Sequence, residues 1–451
     1  MERQKTALIV GMAKSGIAAA RLLYQDNYRI IINDMKPEIK GLFDQLSGIA
    51  YEVKLGANPM DLLDGVDLLV PSPIIPMTRA FIVEAKRRGI EVISEIELGY
   101  RYSKADFVCI TGTNGKTTCT ALTGELFKAA GRTTYVLGNI GVAISAHALE
   151  TKPGDVVVAE TAALQLEGNS RFHAIAAGVC NITPDHLDHF GTMENYIAAK
   201  AKILDNQTAD DYAVLNYDDP IVRGFADLTP AKVLYFSRKT EVQEGMFLRG
   251  TTLVYRINGE EHTLMDANEI RIPGAHNLEN AMLCALLGLS QGIAPETIVR
   301  VLKTFAGVEH RIEYVCTRRG VDYINDSKGT NPASTVRAVE SMKKPTVLSL
   351  GGYDKHISFD ELFEAFTPIV KACVVIGDTQ QQILDTAKKF GYADLCRTAD
   401  SFGAAMDLAR DLAESGDAVL LSPACASWDM FDNYEQRGRV FKEIAREYAD
   451  V

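Results

Sequence analysis

Along most of the chain, short apolar runs alternate with longer stretches in which apolar positions recur every three or four residues. These are the patterns of buried strands and of helices packed on one face. Three times, an apolar β-branched run ends in a Gly-rich or polar loop that leads into a helix-like stretch, the rhythm of α/β units with parallel strands. The first begins at Thr6 to Val10, passes through Gly11-Met12-Ala13-Lys14-Ser15-Gly16, and is followed by a strand from Arg29 to Asn33 that ends at Asp34. A second region opens with Asp106 to Thr111 and a third with Gly320 to Asn325, after the polar segment 307–311. Boundaries are expected near residues 96 and 308, dividing the chain into 1–96, 97–308 and 309–451. Residues 230–272 read as β-rich, with alternation over Gly250 to Arg256 and a turn at Asn258-Gly259, and are expected to form an excursion from the main sheet.

Composition narrows the picture. The 451 residues suffice for three domains of ordinary size, and 47% hydrophobic with 24% charged residues excludes general disorder. A net charge of −12 argues against a surface that coats nucleic acid, while anions can still bind at local nests of backbone N–H groups. No stretch approaches the ~18 apolar residues of a membrane span. The opening run, Thr6 to Val10, is too brief for a signal-peptide core. Eight cysteines without a C-x-x-C pair read as reduced core residues, and a cytoplasmic protein is expected.

The sharpest chemical signal is Ile110-Thr111-Gly112-Thr113-Asn114-Gly115-Lys116-Thr117-Thr118, between a buried strand and a helix. Small residues let successive N–H groups turn inward on a phosphate, the helix N-terminus adds positive potential, Lys116 can reach the terminal phosphates, and the Thr117 hydroxyl can hold Mg²⁺. This is a P-loop, departing from the strict form only in that Ile110 takes the first Gly position. Two further strands end in groups suited to metal work: Val156 to Ala159 at Glu160, and Ala174 to Asn181 at Asn181-Ile182-Thr183-Pro184-Asp185-His186-Leu187-Asp188-His189. Ligands of open parallel sheets sit outside the strands' carboxyl ends, so Glu160 and His186 are expected to face the crevice that holds Lys116. Asp185, Asp188 and His189 stay open between local hydrogen bonding and a direct role. Lys200, on the helix after this loop, reads as a surface lysine, since a positive side chain beside Mg²⁺ and Lys116 would be repelled, and the residues alone argue against a role for it in the site. In the first region Ala13 stands where a dinucleotide fingerprint has its middle Gly, which argues against a nicotinamide site. Gly274-Ala275-His276-Asn277-Leu278-Glu279-Asn280 heads an apolar helix as a purine-side or capping segment. In the third region, loops at 325–332, 351–355 and 422–431 follow apolar strands and are expected to grip a second ligand, with Trp428 and Phe431 otherwise packing residues.

Taken together these motifs resemble the Mur ligases, the ATP-dependent amide-forming enzymes of peptidoglycan precursor synthesis. The resemblance rests on residues 112–117, Leu137-Gly138-Asn139-Ile140-Gly141, Asn181 to His186, His310-Arg311, Asn325 to Lys328, and Ser422 to Ser427 followed by Phe431 and Glu435-Gln436-Arg437-Gly438. It spans almost the whole chain, and the closing run is most similar to the branch that joins D-glutamate to UDP-N-acetylmuramoyl-L-alanine. The resemblance implies an α/β protein of three domains: a Rossmann-like N-terminal domain for the UDP sugar, a central P-loop ATPase-like parallel sheet for ATP and Mg²⁺, and a Rossmann-like C-terminal domain for the amino acid. By resemblance, Gly112 to Thr118, Asn277, Arg311, Asp326 and Lys328 surround ATP. Asn139 and His186 touch the muramoyl substrate. Thr117 and Glu160 serve one Mg²⁺, and His186 with a carbamoylated Lys200 a second, the carbamate replacing a cation by an acceptor. Thr330, Lys355, Ser422 and Phe431 surround D-glutamate. The family's Ser-Pro-Gly run appears here as Ser72-Pro73-Ile74, so in the first domain only Asp34 is carried over, as a uracil or ribose contact. Lys116, His186 and Lys200 are the expected catalytic groups, in a pathway of cell-wall biogenesis, cell shape and division. The rivals are a folylpolyglutamate synthase, which the complete first domain opposes, a P-loop switch, which leaves the third-region loops unexplained, and a nicotinamide dehydrogenase, in which Lys116 has no role.

Overall fold

A computed structural model describes residues 3–354 and 357–449, with Asp188 described by its backbone alone. The chain forms two compact units, Met1–Phe305 and Ala306–Val451. The first unit contains two sheets. Strands β1 (Thr6–Val10), β2 (Arg29–Asp34), β3 (Glu52–Leu55), β4 (Leu68–Pro71) and β5 (Glu91–Val92) make an all-parallel sheet in the order β3-β2-β1-β4-β5. All five residues of β1 are buried, as expected for a central parallel strand covered on both faces.

The second sheet has nine strands: β6 (Asp106–Thr111), β7 (Thr134–Gly138), β8 (Val156–Glu160), β9 (Ala176–Val179), β10 (Tyr212–Asn216), β11 (Lys232–Ser237), β12 (Gly245–Arg249), β13 (Thr252–Ile257) and β14 (Glu260–Asp266). Their order is β14-β13-β12-β11-β10-β9-β6-β8-β7. The seven strands from β7 across to β12 pair in parallel, and only β13 and β14 add antiparallel. Residues 230–272 are therefore no excursion, because β11 and β12 extend the main sheet before the hairpin at Asn258-Gly259 turns back. The strand order reverses at β6, with β8 and β7 on one side and β9 onward on the other. That places a ligand crevice outside its carboxyl end.

Helix Lys116–Ala129 leaves this point and packs against helix Ala275–Ser290. Residues Ala281 to Leu287 of the latter are fully buried, so it is apolar all round because it is covered all round.

The second unit holds β15 (Glu313–Arg318), β16 (Val321–Asn325), β17 (Thr346–Gly351), β18 (Val370–Ile376), β19 (Cys396–Thr398) and β20 (Ala418–Leu421), in the order β15-β16-β20-β17-β18-β19. Only β15 runs antiparallel. The strands β16, β20 and β17 are neighbours, so the three loops expected to grip a ligand leave the sheet side by side.

Candidate active site

The P-loop is held open by its neighbours. Gly115 adopts φ +85°, and a Cβ there would lie 2.5 Å from Asn280 Oδ1, so a larger residue is excluded on both counts. The loop is stapled to the segment after β9. Thr113 N–H donates to the Asn181 carbonyl at 2.8 Å, Asn114 N–H to Asn181 Oδ1 at 2.9 Å, and Thr183 N–H to Thr113 Oγ1 at 3.0 Å. Thr117 and Thr118 lie nearly buried in the first helical turn, whose leading N–H groups have no partner within the helix by geometry.

Two amines meet at one carbonyl oxygen. Lys116 Nζ donates to Gly112 O at 2.9 Å and to Thr113 O at 2.9 Å, and Lys200 Nζ donates to the same Gly112 O at 2.8 Å. Lys200, on helix Met193–Ala201, is 2% exposed and lies over the Tyr196 ring. Burial, and then the Lys116 charge, hold its pKa down to about 7. The repulsion anticipated from sequence is thus present, and the fold buries the lysine regardless.

Glu160 ends β8, where Asn139 Nδ2 donates to its Oε1 at 2.8 Å. Its Oε2 is buried and has no hydrogen-bond partner, an acceptor suited to a cation. A carboxylate oxygen of this kind is the donor type that Mg²⁺ takes, so Glu160 fits such an ion. Among the described residues no three His, Cys, Asp or Glu side chains converge as a ready metal cluster. His186 has a left-handed backbone (φ +51°) and a half-exposed ring 3.7 Å from Asp185 Oδ2. His189 is engaged locally, its Nε2 lying 2.9 Å from Glu167 Oε2. Asn277 Nδ2 donates to the Pro273 carbonyl at 2.7 Å and its Oδ1 accepts from Asn280 Nδ2 at 3.1 Å, so it braces the start of the helix and holds Asn280 beneath Gly115, while no described side chain caps the helix N–H groups.

In the second unit a buried polar network lies beneath the loops. Asp326 Oδ2 accepts from Ser422 Oγ at 2.7 Å and its Oδ1 from Ile312 N–H at 3.2 Å, and burial pushes its pKa up to about 6. Ser422 is fully buried, and its hydroxyl also reaches Thr335 Oγ1 at 3.0 Å. Arg311 has a buried Nε without a partner, and Lys328 lies against the Tyr434 ring. Thr330 is half-buried after a tight turn in which its N–H donates to the Lys328 carbonyl at 2.9 Å. Phe431 packs edge-on to Phe402 with ring centres 5.0 Å apart. Lys355 lies outside the described residues.

Three family models match this chain: a Mur ligase MurD-like N-terminal domain over residues 5–94, a Mur ligase middle domain over 110–288, and a Mur ligase glutamate ligase domain over 310–425. The UDP-N-acetylmuramoylalanine–D-glutamate ligase of Alkaliphilus oremlandii is 45% identical over 446 residues, 98% of each chain. The chain belongs to the Mur ligases. A second such ligase, from Thermoanaerobacter pseudethanolicus, is 42% identical with the same coverage. Among solved structures, UDP-N-acetylmuramate-alanine ligase MurC of Thermotoga maritima aligns with a TM-score of 0.61 at 18% identity, covering 98% of this chain and 99% of that one. This second likeness speaks for the fold, a three-domain α/β architecture. Mur ligases are ATP-dependent ligases of peptidoglycan precursor synthesis, and this chain is one of them. No described helix is long and apolar enough to cross a membrane.

Several residues of this Mur ligase escaped the sequence reading. Asn181 is the staple of the P-loop rather than only the end of a strand, which a pattern of single motifs does not reveal. Arg437, 2% exposed, binds the carbonyls of Ser327 and Cys425 at 2.8 and 3.1 Å and ties two of the third-sheet loops together. Trp428 packs at the surface rather than in a core: it is 62% exposed, with the Tyr353 ring 5.4 Å away, where an isolated bridge joins Tyr353 to Ala426. In the first domain, Asp34 Oδ2 accepts from Met12 N–H at 2.8 Å, so its carboxylate caps the first Gly-rich turn.

Proposed function

We propose that this chain joins D-glutamate to UDP-N-acetylmuramoyl-L-alanine at the expense of ATP, with domains 1–96 for the UDP sugar, 97–308 for ATP and 309–451 for the amino acid. The observation that carries the reading is the meeting of Lys116 and Lys200 at the Gly112 carbonyl, in a unit that also holds a buried Glu160 oxygen with no partner at the end of β8. Two charged amines so close are costly, and a lysine with a pKa of about 7 is in substantial part a neutral amine at neutral pH. Its lone pair can attack the carbon of CO₂, forming an N–C bond and releasing one N–H proton, and the product is a carbamate anion. Lys200 then changes from a repelled cation into an acceptor facing Lys116.

Thr117 and Glu160 would hold one Mg²⁺, and His186 with the Lys200 carbamate a second. The ion supplies neutralisation of the charge that develops on the transferring phosphoryl oxygens. The P-loop N–H groups and Lys116 hold and orient the ATP phosphates, which places the γ-phosphoryl group for in-line attack by the substrate carboxylate. A carboxylate oxygen–phosphorus bond forms as the bond to ADP breaks, giving an acyl phosphate. The amine of D-glutamate then attacks the acyl carbon, phosphate leaves, and the amine gives up a proton. His186 can take that proton only where it is not bound to metal.

Asp34 and Asn139 contact the UDP sugar in this reading. Asn277, Arg311, Asp326 and Lys328 serve ATP, and Thr330, Lys355, Ser422 and Phe431 serve D-glutamate. With Ser422 fully buried, its contribution is to hold Asp326, and the exposed Tyr353–Trp428 pair adds a wall at the mouth of these loops. All eight cysteines are thiols, which fits a cytoplasmic reaction. The test is phosphate release with ATP, Mg²⁺, UDP-N-acetylmuramoyl-L-alanine and a panel of amino acids. D-glutamate is expected to drive release far above L-glutamate, D-glutamine or D-alanine, and faster use of L-lysine or diaminopimelate would reject the assignment. Lys200→Ala is expected to be nearly inactive and partly restored by acetate.

A further inference from the structure

Helix Glu95–Tyr102 carries two buried carboxyl groups that are held in opposite ways. Against the upward push of burial, Glu97 is kept below the usual carboxylate range by the N–H groups of Ser170, Arg171 and Phe172, at 3.0, 3.0 and 2.8 Å, and by Arg101. It is a structural anion. Glu95 is different. Its Oε1 accepts from Ser145 N–H at 2.7 Å and from Ser145 Oγ at 2.5 Å, while its Oε2 is buried with no hydrogen-bond partner. Burial holds its pKa above the usual range. An unmatched buried oxygen costs stability, so the grip on Ser145 calls for a reason beyond packing.

Ser145 lies in the short turn Ile144–Ala146 that ends the loop from Gly138. Within this loop Gly138 N–H donates to the Val142 carbonyl and Val142 N–H to the Ile140 carbonyl, each at 2.9 Å. At its near end Asn139 N–H donates to the Glu160 carbonyl at 2.9 Å, and Asn139 Nδ2 to Glu160 Oε1 at 2.8 Å. The middle of the loop is solvent-facing, with Val142 43% exposed. A loop exposed in its middle takes its position from its two ends.

We infer that Glu95 is a positioning residue: by gripping Ser145 it fixes the far end of the loop whose near end, Asn139, aims the free oxygen of Glu160. This rests on the reading that Glu160 faces a divalent ion. The ligand-orienting partners of metal sites are commonly worth about 10- to 100-fold in metal affinity, and Glu95 acts one step further out.

The test is a double-mutant cycle read by Mn²⁺ binding to the full chain, followed by electron paramagnetic resonance with and without a non-hydrolysable ATP analogue, with thermal unfolding in parallel. Asn139→Ala is expected to weaken Mn²⁺ binding about tenfold. Glu95→Ala should weaken it about three- to tenfold and add nothing in the Asn139→Ala background. Glu95→Gln keeps the Oε1 acceptor and should restore affinity. If Glu95→Ala does not fold, Ser145→Ala, which deletes one of the two donors, takes its place in the cycle. Equal losses in both backgrounds, a Glu95→Gln as damaging as Glu95→Ala, or a lowered unfolding temperature with unchanged Mn²⁺ affinity would overturn the inference. Mn²⁺ binding needs neither UDP sugar nor amino acid, so a failed ligation assay with the coupling intact rejects the proposed substrates alone. A wild-type chain that binds no Mn²⁺ rejects both.

Discussion

Two strand–loop–helix turns of this Mur ligase look alike in sequence and differ in what fills them. After β1, Gly11 N–H donates to the Asn33 carbonyl and Met12 N–H to the Asp34 carboxylate, each at 2.8 Å, so the chain supplies its own anion to the turn. After β6, the loop is stapled from behind by Asn181, and its open side presents Lys116 with Lys200 beneath it. Both turns have a left-handed glycine and a helix N-terminus. The neighbours therefore set the two turns apart: the first receives a carboxylate on a loop N–H, whereas in the second the N–H groups of Thr113 and Asn114 are held by neutral Asn181 and two lysine amines converge on the Gly112 carbonyl.

The largest expected effect that sharpens this contrast is Lys116→Ala. Removing one preorganised charge-stabilising group costs about 10²- to 10³-fold in rate, and because Lys116 opens its helix over a loop, thermal unfolding should not move. Turnover near that of the wild type would make the two turns equivalent.

Lys200 provides the next test, through stability rather than rate. Its folded pKa is about 7 against an ordinary 10.5, so between these values the folded chain binds fewer protons than the unfolded one. Stability should then rise with pH, by at most about 1.4 kcal/mol per unit, and be lost as pH falls through 7. Denaturant midpoints of the metal-free enzyme in CO₂-free buffer at pH 7, 8 and 9 should show this slope, and Lys200→Met should flatten it.

The glycines separate the turns by what each substitution disturbs. An alanine Cβ at Gly115 would stand 2.5 Å from Asn280 Oδ1 at φ +85°, and at Gly11 2.5 Å from Ser72 Cβ at φ +95°. Each substitution should lower stability by about 1–3 kcal/mol, but only Gly115→Ala should also lose affinity for an ATP analogue in calorimetry. An equal loss from both would break the contrast. The smallest effect is expected from Asp34→Asn, which keeps an acceptor for Met12 N–H but removes the charge. The KM for the UDP sugar should rise about three- to tenfold, the worth of roughly one hydrogen bond, with kcat and ATP affinity unchanged. A change in ATP affinity would mean that the two turns communicate.

Much of this was legible along the chain because it is local. The strands β1, β6, β8 and β16 stand at the predicted runs, and the hairpin turns at Asn258-Gly259, since period and turn chemistry depend only on near neighbours. The P-loop could likewise be named from spacing, because its glycines, lysine and threonine act through one turn of backbone. The β-rich segment was recognised as β but not as part of the main sheet, because the edge a strand joins depends on what its neighbours leave uncovered.

The remainder required contacts between distant parts of the chain. Lys200 reaches Gly112 across 88 positions, and Glu95 reaches Ser145 across 50. Ser422 faces inward onto Asp326 and Trp428 outward to solvent, though both follow the same strand. Burial turns an ordinary lysine into one that titrates near neutrality and leaves one oxygen of Glu160 waiting for a partner. Such properties belong to the surroundings a side chain meets after folding, since desolvation and charge proximity act through space, while the runs and glycines that build the scaffold act along the backbone and can be read there.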